Sequence, residues 1–326
     1  MWETATGQCR SVLEGHSNWV SAVVFSLDGQ LVASASYDST VRVWETATGQ
    51  CRSVLEGHSE GVSAVMFSPD GQLVASASYD STVRVWETAT GQCRSVLEGH
   101  SEGVSAVMFS PDGQLVASAS YDSTVRVWET ATGQCRSVLE GHSGGVSTVV
   151  FSPNGQLVAS ASYDSTVRVW ETATEQCRSV LEGHSEEVSA VVFSPDGQLV
   201  ASASYDSTVR VWETATEQCR SVLEGHSEEV SAVVFSPDGQ LVASAFYDST
   251  VRVWETATEQ CRSVLEGHLE EVSAVVFSPD GQLVALAFYD STVRVWETAT
   301  GQCRSVLEDQ SSSIYHIAFS LDGRTL

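Results

Sequence analysis

Short runs of small and apolar residues alternate with polar turns along the whole chain, and the alternation returns every 42 residues. One period predicts four strands. Residues 20–26 (VSAVVFS) are apolar with small residues between. A turn follows, SLDG here and SPDG in most later copies; Ser, Pro, Asp and Gly in that order suit a type I turn. Residues 30–36 (QLVASAS) form the second strand, 37–39 (Tyr-Asp-Ser) a tight reversal, and 40–44 (TVRVW) a third strand in which β-branched residues alternate with Arg. ETATGQ is a polar turn, 51–55 (CRSVL) the fourth strand, and Glu56-Gly57-His58 leads into the next period. No stretch carries a helical period.

The repetition is nearly exact. Residues 51–92 and 93–134 are identical, and 177–218 differs from 219–260 only by Ser204 against Phe246. Such uniformity points to recent duplication within one gene. A single four-stranded unit cannot bury both of its faces, whereas units stacked around an axis bury them against one another. The pattern therefore predicts an all-β propeller of seven four-stranded blades, the alternative being eight with the last incomplete. Residues 1–17 are the end of a partial repeat supplying a fourth strand (8–14), 18–308 hold seven repeats, and 309–326 are a degenerate partial repeat with a first strand at 314–320 and the start of a second at 324–326. Together they make one propeller domain. Either seven blades close on themselves or the two ends combine into a partial eighth; seven is favoured. Because the chain begins and ends in mid-repeat, it reads as a fragment of a longer array or of a multidomain gene.

The pairs Gly15-His16 with Trp44-Glu45, and Gly57-His58 with Trp86-Glu87, recur in this spacing. This pattern resembles the WD40 repeat, with Trp-Glu in place of Trp-Asp throughout, and the resemblance covers essentially the whole chain. The amplified, near-identical copies are also similar to the WD-repeat arrays of fungal NACHT–WD incompatibility proteins, whose propellers are thought to recognise non-self ligands.

Acidic residues number 42 against 16 basic ones, for a formal charge of −26. Every basic residue is Arg. Such a surface repels phosphate backbones and anionic membranes, so no nucleic-acid or membrane partner is expected, and a partner protein with a basic face is favoured. No apolar stretch is long enough to span a membrane. The opening MWETATGQCR lacks the cationic flank and apolar core of a secretory signal, which leaves a cytoplasmic location as the default. Eight cysteines, from Cys9 to Cys303, recur every 42 residues. Equivalent positions on neighbouring units are too far apart to bridge, so they are expected to be half-buried free thiols of a reducing compartment.

Ser, His and Asp recur as a set with a Trp. The first unit holds His16, Ser34, Asp38 and Trp44, and the second His58, Ser76, Asp80 and Trp86. His100, Ser118, Asp122 and Trp128 follow, then His142, Ser160, Asp164 and Trp170. His184, Ser202, Asp206 and Trp212 come next, then His226, Ser244, Asp248 and Trp254. A hydrolytic triad uses the same residue types, but an enzyme rarely needs six equivalent triads. The resemblance implies a structural hydrogen-bond network instead, and a buried indole N–H or imidazole left unsatisfied costs about 1–3 kcal/mol. In the seventh unit His268, Asp290 and Trp296 remain, but Leu286 replaces the Ser and Phe288 stands where five units have another Ser; this unit is expected to be weaker. With no H-x-x-x-H or C-x-x-C pair and no phosphate or dinucleotide fingerprint, neither metal, cofactor nor small-molecule substrate is expected.

The pair after each Gly-His-Ser varies most: Asn18-Trp19, Glu60-Gly61, Glu102-Gly103, Gly144-Gly145, Glu186-Glu187 and Glu228-Glu229, with Glu270-Glu271 after Gly-His-Leu. The resemblance places these pairs on the face that WD40 proteins use most for partners, together with Tyr37, Tyr79, Tyr121, Tyr163, Tyr205, Tyr247 and Tyr289. The last three units would then carry a doubly acidic arc, and Trp19 would add an aromatic of the type enriched in interfaces. The expected function is a non-enzymatic scaffold that binds other proteins, or alternatively the sensing domain of a larger NACHT-type receptor.

Overall fold

A computed structural model of the chain describes residues 1–267, 270–308 and 314–326. These form two compact units. One holds Met1, Cys9–Ser162 and Arg168–Arg178; the other holds Trp2–Gln8, Tyr163–Val167 and Ser179–Leu326. Among the described residues there are 28 strands and no helix, and the strands make seven four-stranded sheets: the all-β propeller class with seven blades.

The first blade consists of β1 (Val20–Phe25), β2 (Leu31–Ser36), β3 (Thr40–Glu45) and β4 (Cys51–Glu56), hydrogen-bonded in chain order. Each bound lies within one residue of the sequence reading. In the antiparallel register Val23 faces Ser34, Ser34 faces Arg42, and Val32 faces Trp44. Strand alternation then puts Ala33, Ala35, Val41 and Val43 on one face, and Val23, Ser34, Arg42 and Trp44 on the other. The first face packs, together with Leu55, against Val62, Val65, Phe67, Val74 and Trp86 of the next blade. The same interlock of small side chains with a large indole recurs in both units. This explains why neither face of a blade carries a run of charge.

The sequence reading missed a second link between blades. Ser63 Oγ–H, on the first strand of blade 2, donates to Val104 O of blade 3 (2.6 Å), and Ser105 Oγ–H donates to Val146 O (2.6 Å). In the second unit Ser189 Oγ–H donates to Val230 O (2.7 Å). Tight turns complete each blade. Gly29 N–H donates to Ser26 O (2.8 Å), while Ser39 takes φ +67° with Asp38 Oδ1 accepting from Thr40 N–H (3.0 Å). Glu175, Glu217 and Glu259 sit at φ +64°, +66° and +64° where Gly49 stands at +69°, a backbone region that costs a side-chain-bearing residue about 1 kcal/mol or more. At Glu175 a contact to Arg136 Nε (3.2 Å) offsets part of this.

Residues 8–14 and 314–320 do not form the strands expected of them. Backbone pairing reaches these segments only in short pieces: Arg10 N–H donates to Met1 O (2.8 Å), and Ser320 N–H to Thr325 O (2.8 Å). Trp2 and Leu326 nevertheless exchange two backbone hydrogen bonds (2.8 and 3.0 Å), with Glu3 opposite Thr325. That is the register in which Val32 faces Trp44 and Leu31 faces Glu45.

Removing one inter-blade hydroxyl by Ser63→Ala is expected to cost about 1 kcal/mol in urea unfolding, and Ser63→Ala with Ser105→Ala about twice that. The exposed Ser59→Ala serves as a neutral control. Equal stability of all three would assign the cohesion of the blades to apolar packing alone.

Candidate functional site

The Ser-His-Asp-Trp sets assemble at one end of each sheet. In blade 2, His58 arrives on the linker from blade 1, Ser76 sits on the second strand, Asp80 in the following reversal and Trp86 at the end of the third strand. Trp86 Nε1–H donates to Ser76 Oγ (2.9 Å), His58 Nε2 lies 2.8 Å from Ser76 Oγ, and His58 Nδ1 lies 2.8 Å from Asp80 Oδ2. The donor order follows from chemistry. An ionised Asp80 only accepts, so Nδ1 carries the proton; the neutral ring then accepts at Nε2 from the Ser76 hydroxyl, whose oxygen takes the indole N–H. Asp80 Oδ2 also accepts from Ser59 N–H (3.0 Å), and Oδ1 from Thr82 Oγ1–H (2.7 Å). The linker glycine is constrained too. Gly57 has φ +150°, and a Cβ there would lie 2.6 Å from Arg84 Nη1. The Arg84 guanidinium itself sits 5.9 Å from the Trp86 ring centroid.

The same relay runs through His16, Ser34, Asp38 and Trp44, with distances of 2.8–2.9 Å. It recurs in His100, Ser118, Asp122 and Trp128 (2.8–2.9 Å) and in His184, Ser202, Asp206 and Trp212 (2.8–3.0 Å). In blade 4, His142 Nε2 lies 2.8 Å from Ser160 Oγ, which accepts from Trp170 Nε1–H (2.9 Å); Asp164 accepts from Thr166 Oγ1–H (2.7 Å). These are triad distances, but the hydroxyls of Ser76, Ser118, Ser160 and Ser202 belong to fully buried residues and already accept an indole N–H. In blade 2 these bonds satisfy the buried indole N–H and imidazole of the blade interior.

Electrostatics favour the neutral imidazole. Burial pushes His58 and His100 below the ordinary histidine range, and the partner carboxylates Asp80 and Asp122 only partly oppose it. Burial works against ionisation of Asp38 as well, but hydrogen bonds from Thr40, Ser17 N–H and His16 outweigh it and hold the carboxyl at about 2. Asp206 is lowered in the same way through His184 and Thr208.

Two blades depart from the pattern. In blade 6 the fully buried Phe246 lies almost parallel (14°) to His226 and competes with it for the same buried space. The relay is correspondingly stretched: His226 Nδ1 to Asp248 Oδ2 is 3.1 Å, Nε2 to Ser244 Oγ 3.2 Å, and Ser227 N–H to Asp248 3.3 Å, while Trp254 Nε1–H to Ser244 stays at 3.0 Å. Burial drives His226 down to about 4. In blade 7, Leu286 and Phe288 are fully buried in an apolar cluster with Val275 and Trp296, and Asp290 accepts from Thr292 Oγ1–H (2.6 Å). His268 lies outside the described residues. The sequence treats Leu286 as a lost hydroxyl; the structure shows that its side chain also fills core volume.

The tyrosines behave differently in the two units. In the first, Tyr37, Tyr79 and Tyr121 stack in a row, with centroids 5.9 and 6.3 Å apart and planes within 7° and 2°. Glycines make room, since a Cβ at Gly61 would lie 2.7 Å from the Tyr37 ring and one at Gly103 2.9 Å from Tyr79. The Tyr37 phenol is held up at about 12 by its contact with the Tyr79 hydroxyl and by burial. In the second unit, burial raises the Tyr205 phenol to about 12, helped by Tyr247 and by the charges of Glu229 and Glu187; Tyr247 is raised by burial, then by Tyr289, Glu271 and Glu229. Tyr163 is half-buried, and Tyr289 packs edge-on to Tyr315 (5.4 Å). Glu186, Glu187, Glu228, Glu270 and Glu271 are exposed and Glu229 is half-buried, while Trp19 is 61% exposed.

The cysteines correct an expectation. All eight are exposed residues outside any disulfide, not half-buried ones. Seven of them, from Cys51 to Cys303, open the outermost strand of a sheet. Arg126 Nη1 lies 3.9 Å from Cys135 Sγ.

Residues 7–45, 49–87, 91–129 and 133–171 match the WD domain, G-beta repeat, and residues 161–326, just over half of the chain, match the family described as the IFT122 first beta-propeller. The chain belongs to the WD40-repeat β-propellers. No curated protein matches it.

Two outcomes are expected. Phe246→Ser, which restores the residue of the otherwise identical preceding repeat, should stabilise the chain by about 1–3 kcal/mol, and the reverse change Ser204→Phe should destabilise it. A lower melting temperature for Phe246→Ser would contradict the crowding of His226. The second concerns pH. The folded state holds His58, His100 and His226 below the unfolded value of 6.5, so from pH 6.5 downward the unfolded chain binds more protons. Stability is then full above that value and falls towards pH 4, with a further loss below 3.8 as Asp38 and Asp248 lose their lowered ionisation. Urea unfolding in high salt, which screens the net charge, should show a lower midpoint at pH 5 than at pH 7. An equal or higher midpoint would contradict the neutral-imidazole relay.

Proposed function

We propose that this propeller is a non-enzymatic scaffold that binds a basic segment of a partner protein at the loops of its second unit. WD40 propellers generally serve as protein-interaction scaffolds. The observation that carries the finer reading is the pairing of Glu187, Glu229 and Glu271 with the tyrosines, whose backbone N–H groups (Tyr205, Tyr247 and Tyr289) donate to their carbonyls at 2.9, 3.1 and 3.1 Å, while Glu186, Glu228 and Glu270 are open to solvent. Carboxylates beside aromatic rings suit an Arg or Lys side chain, which can pair with the acid and lie over the ring. The formal charge of −26 draws such a partner in and repels nucleic acid and anionic membranes. Eight exposed thiols fit a reducing compartment, which supports a cytoplasmic location for the scaffold.

The pair after Gly-His-Ser differs between blades that are otherwise almost identical, and its Glu side chains are exposed. That concentration of difference at a surface also supports the second reading, a sensing domain of a larger NACHT-type receptor. An uninterrupted reading frame joining the propeller to a nucleotide-binding domain in the full-length transcript would favour it; stop codons bounding the propeller would remove it.

The scaffold reading is tested with an arginine-rich peptide and two charge-matched variants. Changing Glu186, Glu187, Glu228 and Glu229 to Lys should weaken binding by about tenfold or more. The same swap at Glu14, Glu56, Glu98 and Glu140, exposed residues of the first unit, should have a much smaller effect. Equal losses in both would reduce the interaction to net charge and remove the arc from the proposal.

A further inference from the structure

Every basic residue of the chain is an arginine, and one arginine recurs in the middle of the third strand of each blade. In blade 3 it is Arg126. Alternation along the strand puts it on the face that carries Trp128, and the register sets Cys135 of the outermost strand opposite Trp128, beside a bulge. The three side chains therefore share one face. The guanidinium lies over the Trp128 ring, 6.0 Å from its centroid, where a Cβ at Gly99 would meet it, and Nη1 reaches to 3.9 Å from Cys135 Sγ. Blade 5 repeats the arrangement in the second unit. There Arg210 lies 6.0 Å from the Trp212 centroid, with Nη1 3.9 Å from Cys219 Sγ. In blade 4, Arg168 Nη1 is 3.8 Å from Cys177 Sγ.

These cations are not neutralised by an acid. Among the described residues Arg126 and Arg210 pair with no carboxylate, and the Nε of each is buried without a hydrogen-bond partner. The arginine that follows each cysteine differs: Arg136 Nε meets Glu175 Oε1 at 3.2 Å, and Arg220 Nε meets Glu259 Oε1 at 3.9 Å. An indole beside a guanidinium holds it in place but leaves its charge. An exposed sulfur therefore stands next to an oriented, unpaired cation. The thiolate is the attacking form of cysteine, and such a neighbour attracts both that charge and an anionic reagent.

The arrangement is selective. All these sulfurs share a contact to a carbonyl of their own strand, Cys135 to Ser137 O and Cys219 to Ser221 O (3.4 Å each), Cys93 to Ser95 O and Cys261 to Ser263 O (3.5 Å each). The guanidinium is what differs. In blade 6, Arg252 turns to the linker instead, where its Nη2–H donates to Gly225 O (2.7 Å).

We propose that Cys135, Cys177 and Cys219 are sites of reversible modification by anionic low-molecular-weight disulfides. The cysteine thiolate attacks one sulfur of the reagent. The new S–S bond forms as the reagent's own S–S bond breaks, so the cysteine is oxidised and the departing half is reduced. That half leaves as a thiolate and takes up the proton the cysteine gave up. The half that stays brings its carboxylate to the guanidinium. Excess small-molecule thiol runs the same exchange backwards. The inference is independent of the acidic loops of the second unit.

Trypsin would release Cys51, Cys93, Cys135 and Cys303 in one identical peptide (VWETATGQCR), so the test uses full chains that keep one cysteine and carry Ser at the others. Chains keeping Cys93, Cys135, Cys219 or Cys261 are treated with oxidised glutathione, and the mixed disulfide is followed by intact mass. Neutral iodoacetamide reports the accessibility of each sulfur. At low salt, and relative to iodoacetamide, Cys135 and Cys219 should react with the disulfide about fivefold faster than Cys93 and Cys261. High salt should shrink the difference, and excess reduced glutathione should restore the starting mass. Arg126→Gln should bring Cys135 down to the rate of Cys93. The comparison among the four unaltered sites stands even if that variant fails to fold. Equal relative rates at all four sulfurs overturn the proposal. So does a fast Cys135 that keeps its rate in a folded Arg126→Gln chain.

Discussion

Everything in this structure depends on one constraint: a four-stranded sheet with two apolar faces is stable only when both are covered. The 42-residue repeat meets it by making the faces complementary. One presents Ala33, Ala35, Val41 and Val43; the other, one repeat later, presents Val65, Phe67 and Trp86. Small side chains receive large ones, and each blade supplies both halves of the fit. Burying an indole carries a condition, because its N–H must find an acceptor. The serine on the second strand accepts it, the imidazole accepts from the serine, and the aspartate fixes the imidazole in the tautomer that can accept. The resemblance to a hydrolytic triad is thus a consequence of the same need to orient a neutral imidazole, met here inside the blade.

Where the repeat departs from itself, the consequences are local and follow from that chain of acceptors. Phe246 in place of serine sets a ring against His226 and lengthens both of the imidazole's contacts, to Asp248 and to Ser244. Leu286 gives up a hydroxyl and returns apolar volume. By contrast, substitutions in the pair after Gly-His-Ser leave the blade interior unchanged. Gly61 and Gly103 admit a stacked tyrosine row in the first unit, and Glu187 and Glu229 place charge beside tyrosines in the second. Variation is concentrated where side chains face solvent.

Strand positions, the blade as the unit and the membership of each Ser-His-Asp-Trp set were legible in the sequence, because alternation and a 42-residue period report directly on which side chains share a face. What escaped depended on distances between blades. The bond from Ser63 to the Val104 carbonyl carries no periodic signature, since serine also serves turns and exposed edges. The cysteines looked half-buried by strand alternation, yet all eight are exposed, seven of them at the start of an outermost strand. The left-handed Ser39 and Glu175 were unreadable because neither residue type marks positive φ. Residues 8–14 and 314–320 carry a strand pattern without the continuous pairing that turns a pattern into a strand.

The central claim is that the buried polar sets are structural relays centred on a protected indole. Selective ¹⁵N labelling of tryptophan allows the exchange of each Nε1–H to be followed. The indole protons of Trp44, Trp86, Trp128, Trp170 and Trp212 should exchange only through global unfolding, and that of Trp254, whose serine acceptor belongs to the stretched relay, faster than these five. Rapid exchange from Trp86 or Trp128 under native conditions would show their serine acceptors open to solvent, and the relay would not be the element that orders the blade.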